Sequence, residues 1–344
     1  MKTLICISSL DGINYHRLIV PFKKLKNEGF DVDFFRNIDD PDKGFVSIDQ
    51  LDTKILKQYK YIVFNRILSP SFQHKHLFVR LKEAGIKTVM DIDDNLELNK
   101  GHFMYKDYYR AGIDKEILFC LKNSTVIIAE NDRLAKRIKE ATGREAVVVR
   151  NAIDEAEKQF DTTDNRHFFR SVAFVGGIAH RRDVMSIIDT VKELQDEGER
   201  FSFTVSGYAA GFMEWERLRE DVFKTGVECF FEHGNSVFDY AQLYKDKGII
   251  ICPVIRNKFN DYKSALKVIE AGWFSKAVIC ADVPAYGEIK NVLKYKDGKE
   301  LKEHLLTLLH DRDIQAEMGR RLHDEIVKKF DIKKENEKRK KILC

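Results

Sequence analysis

The sequence is poor in the features that mark secreted, disordered or membrane-spanning chains. Its six cysteines are scattered and none forms a C-x-x-C pair, which favours a reducing cytosol and offers no zinc motif. Only five prolines and no low-complexity run argue against long disordered linkers. No stretch approaches the roughly 18 consecutive apolar residues of a membrane span. A strand begins within a few residues of the start, so we expect a cytoplasmic chain without a secretory signal.

Charge and length set further limits. The formal net charge of +4 over 344 residues gives no argument for dedicated nucleic-acid binding. The chain is longer than one hydrophobic core usually serves, so we expect two domains, joined by the polar segment 154–166. We predict an N-terminal domain over 1–160, a C-terminal domain over 161–325 and a basic helix over 326–344. The sequence leaves open whether this last helix returns to the N-terminal domain.

Strand–loop–helix units repeat in both halves of the chain. Residues 3–7 form a continuous apolar run, as expected of a strand covered on both faces, and a helix with regularly spaced apolar residues follows. The same pattern restarts at residues 171–175. We therefore predict an α/β fold with two Rossmann-like domains, whose ligand sites lie at the carboxyl ends of parallel strands.

Two polar segments follow predicted strands in the N-terminal half. The first carries Gly12, Asn14, His16 and Arg17, and it lacks the G-x-G-x-x-G pattern, so a dinucleotide fingerprint is not supported. The second, residues 91–95, places three carboxylates at the end of a strand. They could bind a magnesium ion, orient sugar hydroxyls or cap the next helix, and the residues leave these alternatives open.

The first polar loop of the C-terminal half has the composition of a pyrophosphate cradle. Gly176 and Gly177 would let backbone N–H groups approach a ligand, and His180, Arg181 and Arg182 follow them. The alternative is a glycine turn whose arginines point into water.

A second candidate phosphate site lies in the segment 257–282, which follows an apolar run typical of a buried strand. A helix starting near Asp261 would place Lys263, Lys267 and Glu270 on one face. Cations near a helix start suit a phosphate group, and Glu270 could accept hydrogen bonds from hydroxyls. The alternative is a solvated face with ordinary salt bridges.

Several short motifs follow one another along nearly the whole chain. They are Arg150-Asn151-Ala152-Ile153-Asp154, Phe174-Val175-Gly176-Gly177, the segment 231–244, and Glu270-Ala271-Gly272 followed by Ala277-Val278-Ile279. In this order they resemble the motifs of GT-B glycosyltransferases, specifically the family-4-like retaining group. The resemblance implies two Rossmann-like domains that face each other across a cleft.

The resemblance also implies roles for individual residues. The C-terminal domain would hold a nucleotide-sugar donor and the N-terminal domain an acceptor, without metal or other cofactor. Glu270 would bind the donor ribose. The diphosphate, on which charge develops as it leaves, would be held by Gly177, Arg181 or Arg182, Lys263 and the N–H groups near Ser264. Together with the residues identified above, the donor-side residues that we predict are Gly176, Gly177, His180, Arg181, Arg182, Tyr262, Lys263, Ser264, Lys267 and Glu270. The acceptor-side residues are Gly12, Asn14, His16 and Arg17.

The chain departs from the family pattern at two places. Tyr262, with Asp261 beside it, stands where the family has a glutamate that contacts the donor sugar, so the identity of that sugar stays open. The catalytic histidine of the family's N-terminal domain has no clear counterpart. His102 is our candidate for it, and Asp93 or Asp94 could fill a related role.

The leading hypothesis is a retaining, metal-independent glycosyltransferase that moves a sugar from a nucleoside diphosphate to a polysaccharide or lipid-linked acceptor. A modified DNA base is an alternative acceptor, suggested by the mild basicity and the lysine-rich tail. A non-catalytic nucleotide- or sugar-binding protein is a second alternative, and a magnesium enzyme using Asp91, Asp93 and Asp94 is a third. Peripheral membrane contact through the basic helices is left open, and no protein partner can be read from the sequence.

Overall fold

The computed structural model describes residues 2–35, 48–69 and 74–344. The chain forms two compact units. Unit 1 comprises residues 1–152, 262–264 and 332–344, and unit 2 comprises residues 153–261 and 265–331. The chain thus leaves unit 1 after Ala152 and contributes its C-terminal residues to that unit again.

Unit 1 is built on a parallel sheet. The strands that the described residues form are β1 (Thr3–Cys6), β2 (Val32–Phe35), β3 (Tyr61–Asn65), β4 (Lys87–Ile92), β5 (Val126–Ala129) and β6 (Val147–Val148). They pair in the order β2-β1-β3-β4-β5-β6, and Ile5 lies opposite Phe34 on one side and Val63 on the other. Every residue of β1 and β3 is buried, which explains their apolar composition.

Unit 2 repeats this architecture with a different strand order. Its described strands are β7 (Ser171–Val175), β8 (Ser202–Tyr208), β9 (Phe230–His233), β10 (Ile249–Cys252), β11 (Ala277–Ala281) and β12 (Leu293–Tyr295). They pair in parallel in the order β12-β11-β10-β7-β8-β9, with Ile249 opposite both Val172 and Ala277. The predicted α/β class with two Rossmann-like domains is confirmed.

The strand orders locate the ligand sites. In unit 2 the chain builds the sheet outward from β7 on one side, then crosses over and continues from β10 on the other. The loops after β7 and β10 therefore diverge and leave a crevice at the carboxyl ends of these two strands. In unit 1 the corresponding reversal lies between β1 and β3.

Helices connect the strands. In chain order the α-helices of the described residues are α1 (Gly12–Asn14), α2 (Val20–Asn27), α3 (Thr53–Leu56), α4 (His74–Glu83), α5 (Tyr105–Arg110), α6 (Ile113–Asn123), α7 (Asp132–Thr142), α8 (Arg181–Asp196), α9 (Met213–Lys224), α10 (Leu266–Trp273), α11 (Gly298–His310), α12 (Arg312–Lys329) and α13 (Ile332–Leu343). A π-helical segment, Tyr15–Ile19, joins α1 to α2. Short 3-10 helices include Ile178–His180, Tyr240–Tyr244 and Asn260–Tyr262.

Amphipathic spacing explains how the helices pack. The buried residues of α8 are mainly the apolar ones predicted from helical spacing: Val184, Ile187, Ile188, Val191 and Leu194. The C-terminal helix α13 packs on unit 1 through a polar contact, because the Asn336 side chain donates a hydrogen bond to the Pro21 carbonyl at 3.0 Å. None of the described helices combines the length and the apolar character needed to cross a membrane.

Candidate functional site

The candidate site of unit 2 begins with Gly176, at the carboxyl end of β7. A Cβ atom at this position would lie 2.5 Å from the Phe174 ring and 2.8 Å from Cε of Lys267. Both distances are shorter than real Cβ contacts, so only glycine lets the Lys267 side chain cross the backbone here. The loop after β7 and the helix that follows β10 are thus in direct contact at the crevice.

A chain of hydrogen bonds fixes the Lys267 ammonium. Lys267 Nζ lies 2.7 Å from Nε2 of His180, and Nδ1 of the same ring lies 2.7 Å from the Asp183 carboxylate. The second carboxylate oxygen of Asp183 accepts from the Ile255 N–H at 2.8 Å. Since an ammonium can only donate, His180 must accept at Nε2 and donate from Nδ1 to Asp183. This relay, Asp183–His180–Lys267, holds a half-buried cation at the second residue of α10.

Glu270 lies one turn after Lys267 on the same helix and is only 1% exposed. The buried Tyr244 hydroxyl donates to its Oε2 atom at 3.0 Å. Burial and the neighbouring Glu270 charge raise the pKa of Tyr244 well above its ordinary value, so the phenol keeps its proton and remains a donor. The carboxylate orientation is therefore set by a side chain from the 3-10 helix Tyr240–Tyr244.

The two arginines predicted for the pyrophosphate cradle lie elsewhere. Arg181 forms an ion pair with Asp221 on α9, and Arg182 is exposed. Gly177 is exposed as well and precedes the 3-10 helix that carries His180. Of the residues predicted in this loop, the structure therefore brings Gly176 and His180 together with Lys267.

The prediction that a helix starts near Asp261 is wrong. A 3-10 turn covers Asn260–Tyr262, and α10 begins only at Leu266, so Lys263 does not share a helix face with Lys267 and Glu270. Tyr262, Lys263 and Ser264 therefore lie before α10 and outside it.

The intervening residues Tyr262, Lys263 and Ser264 belong to unit 1. The Asn131 side chain donates to the Tyr262 carbonyl at 3.0 Å, and Tyr262 itself packs, partly buried, against the apolar core of that unit. Local periodicity could not show this, because the contacts are made with residues far away in sequence.

The predicted acceptor-side residues in unit 1 are largely internal. Asn14, His16 and Arg17 are buried, whereas Gly12 is exposed at the start of α1. Arg17 binds both carboxylate oxygens of Asp91, at 2.7 and 2.9 Å, and donates to the Asn151 side chain at 3.1 Å. This bidentate pair ties the π-helical segment to β4, so the Arg17 guanidinium is engaged within unit 1.

The carboxylates after β4 are held by a second arginine. Arg66, at the end of β3, lies 3.2 Å from Asp93 and 2.8 Å from Asp94. Its φ of 54° is a left-handed conformation that is strained for a side chain of this size, which marks a position fixed by its surroundings. Burial raises the pKa of Asp93.

His102 joins this group. Burial and the charge of Lys263 lower its pKa, while Asp94 opposes the shift, so the imidazole is neutral at pH 7. The structure thus places the predicted residues Asp93, Asp94 and His102 in one region with Lys263. Among the residues that the structure describes, no group of three or more His, Cys, Asp or Glu side chains is arranged to hold a metal ion.

Several functional candidates were missed from the sequence. Asp183 and Tyr244 were not singled out, although the His180/Asp183 spacing of three residues on a helix start was a usable signal. Arg66 carried no such signal, since its role depends on strand pairing between β3 and β4.

Comparisons with known proteins bear on the fold. No protein-family model matches the chain, and no curated protein sequence matches it. Solved structures, by contrast, match the fold of the chain. Anabaena Alr3699/HepE in complex with UDP and glucose has a TM-score of 0.69 at 15% identity, over 100% of this chain and 99% of that one. The chain has the GT-B fold.

Two further structures support this conclusion. A glycosyltransferase from Rickettsia africae ESF-5 has a TM-score of 0.70 at 12% identity, covering 99% of this chain and 97% of that one. The trehalose-6-phosphate synthase OtsA has a TM-score of 0.59 at 9% identity, over 82% and 72% of the two chains. At these identities the likeness concerns the GT-B fold itself, and the activity has to be argued from the site.

Proposed function

We propose that this protein is a glycosyltransferase that transfers a sugar from a nucleoside-diphosphate sugar to an acceptor hydroxyl, with unit 2 holding the donor. The observation that carries the proposal is the Asp183–His180–Lys267 relay at the strand-order reversal of unit 2, with Glu270 one turn further along α10. A fixed cation and a fixed carboxylate at this spacing match the diphosphate and the ribose of a nucleotide. The family-4-like motifs of the sequence assign the ribose contact to Glu270 as well.

The chemistry needs charge stabilisation above all. The bond between the anomeric carbon and the diphosphate oxygen breaks, a bond from the acceptor oxygen to that carbon forms, and the departing diphosphate takes up the acceptor proton. Negative charge grows on the diphosphate during this step, so a preorganised ammonium stabilises the transition state more than the ground state. Lys267 supplies that cation, and the N–H groups of the first turn of α10 add positive potential.

We assign metal-independent catalysis with retention of configuration to the reaction. The arginine pairs of unit 1 support the first point, because Arg17 and Arg66 already neutralise the carboxylates Asp91, Asp93 and Asp94. Retention rests on the family-4-like motifs. The acceptor we favour is a polysaccharide or a lipid-linked glycan, bound by unit 1, where Asp94 and the neutral His102 provide hydrogen-bonding groups.

UDP is the first nucleotide to test, because HepE and the pneumococcal O-GlcNAc transferase GtfA were both solved with UDP. Thermal unfolding with UDP, GDP, ADP and CDP should show a selective shift, since a ligand at 100 times its Kd adds about 2.7 kcal/mol to stability. Release of the nucleoside diphosphate from the matching sugar donors then measures turnover.

Two variants make the test specific. Lys267→Ala should lose the stabilisation by the nucleotide and the turnover, whereas Lys299→Ala, which removes an exposed lysine of α11, should keep both. Nucleotide binding without any hydrolysis or transfer, across the donors tried, would favour the non-catalytic binding protein instead. Unchanged turnover in Lys267→Ala would remove the assignment of the donor site.

A further inference from the structure

Two neighbouring helices of unit 1 concentrate the positive charge of the chain. Helix α2 carries three lysines and no acidic residue, while α13 carries six basic and two acidic residues. The net charge is therefore +3 for α2 and +4 for α13. Together the two helices carry more positive charge than the net +4 of the whole chain, so the rest of the chain has a net charge of −3. The small net charge of the chain thus hides an uneven distribution of charge, with the excess of positive charge on α2 and α13.

The two helices lie side by side. Besides the bond from Asn336 to the Pro21 carbonyl, Lys340 forms an ion pair at 2.9 Å with Glu28, directly after α2, and lies over the Phe30 ring. The buried side of α13 consists of Ile332, Glu335, Asn336, Arg339 and Leu343. The exposed lysines of α13 are consequently on its other side.

The outward side of both helices forms what we term the lysine face. Its exposed cations are Lys23, Lys26, Lys333, Lys334 and Lys341. Within each helix the spacing keeps them together, because Lys23 and Lys26 are three residues apart and Lys334 and Lys341 are seven apart. Glu337, an exposed acid of α13, forms an ion pair with Lys340.

We propose that the lysine face docks the protein on a bilayer surface rich in anionic lipid headgroups. Lysine is a compact, hydrated point charge that suits a diffuse layer of headgroups, and each one near an anionic leaflet strengthens binding by roughly five-fold. The inference does not depend on the glycosyltransferase assignment, because it uses residues outside the donor site.

Shape and composition argue against nucleic acid as the partner. The exposed sides of α2 and α13 carry no aromatic residue for base stacking, since Phe22 is buried and α13 has none. The single arginine of the two helices, Arg339, is buried as well. Two helices packed side by side also form a surface about 20 Å wide, which cannot enter a major groove of about 12 Å.

Vesicle co-sedimentation of the full chain tests the proposal. We expect binding to vesicles of phosphatidylcholine mixed with phosphatidylglycerol, little binding to phosphatidylcholine alone, and a loss of binding as salt is raised. The variant Lys23→Gln/Lys26→Gln/Lys334→Gln/Lys341→Gln should bind the anionic vesicles roughly 100- to 1,000-fold more weakly.

A matched variant controls for charge alone. Lys106→Gln/Lys115→Gln/Lys122→Gln/Lys136→Gln removes the same number of exposed lysines from α5, α6 and α7, and it should bind like the unmodified protein. Melting curves of both variants serve to check that they are folded. Equal binding by the two variants would overturn the proposal, and so would a duplex DNA that displaces the protein from vesicles at lower concentration than the lipid.

Discussion

Replacing Asp183 with Asn tests whether a buried carboxylate positions Lys267 through His180. Asp183 uses one oxygen to accept from His180 Nδ1 and the other to accept from the Ile255 N–H. Asparagine offers one acceptor oxygen, so its amide nitrogen must face one of these two donors. If it faces the ring, the amide donates to Nδ1 and the imidazole proton moves to Nε2, where it opposes the Lys267 ammonium.

The structure sets the size of the effect. A hydrogen bond to a charged group contributes about 1.5–3 kcal/mol, and a buried donor left without an acceptor costs about 1–3 kcal/mol. We therefore expect Asp183→Asn to lower the free energy of unfolding by about 2–4 kcal/mol. If UDP is the nucleotide that the proposed donor site binds, displacement of the Lys267 ammonium should weaken its binding by about 10- to 100-fold, since each factor of ten corresponds to about 1.4 kcal/mol.

Calorimetric titration of UDP into four proteins isolates the relay. The set is the unmodified chain, Asp183→Asn, Lys267→Met and the double variant. Because Asp183 acts through Lys267, the double variant should bind UDP no more weakly than Lys267→Met alone. Asp189→Asn, an exposed change of the same kind on α8, serves as the control. Additive losses in the double variant would refute the reasoning.

Three further predictions follow from other contacts. Gly176→Ala should cost about 1–3 kcal/mol of stability and weaken UDP binding, because its Cβ meets Phe174 and Lys267; thermal unfolding and titration measure both. Burial lowers the pKa of Lys276 to about 7, whereas the unfolded chain keeps it near 10.5. Between these values the unfolded chain binds more protons, so stability should rise with pH relative to Lys276→Met, by up to about 1.4 kcal/mol per pH unit in denaturant titrations. Tyr262→Glu should destabilise the protein by about 1–3 kcal/mol, because the ring packs on the core of unit 1.

Each of these predictions has a matched control. Gly177→Ala adds a Cβ with no atom within 4 Å, so it should leave stability unchanged, and equal effects of the two alanines would contradict the packing argument. For Lys276, the same pH dependence of stability in the unmodified protein and in Lys276→Met would show that Lys276 does not titrate with a lowered pKa. For position 262, Tyr262→Phe should be tolerated. A gain of donor turnover in Tyr262→Glu without loss of stability would show that a sugar-binding carboxylate can act there.

The elements of the fold could be predicted from the sequence because they follow from local periodicity. The apolar runs at 171–175 and 249–252 became buried strands, and the spacing of Val184, Ile187 and Leu194 gave the buried face of α8. The start of α10 could not be predicted in this way. Residues that would extend the helix are held by unit 1, where Asn131 binds the Tyr262 carbonyl, and such long-range contacts override local propensity.

The candidate site shows the same limit. Residue types identified Gly176, Lys267 and Glu270 as ligand-binding candidates, but they could not show which cation would meet a diphosphate. Sequence position favoured the arginines after Gly177, yet Arg181 turns to Asp221 on α9. The decisive contact, from Lys267 to His180, joins residues on two separate strand–loop–helix units, and no local pattern encodes it.

We propose Lys267 rather than Arg181 as the cation that contacts the diphosphate because the two side chains are held in different ways. Arg181 contacts the Asp221 carboxylate directly, so much of its charge is neutralised within the protein. Lys267 contacts a neutral imidazole, and the Asp183 carboxylate lies on the far side of that ring. The interposed His180 therefore holds the ammonium in place by hydrogen bonding and separates it from the Asp183 carboxylate by the width of one ring. A cation positioned in this way keeps its attraction for the charge that develops on a departing diphosphate, which is the property that a donor site requires.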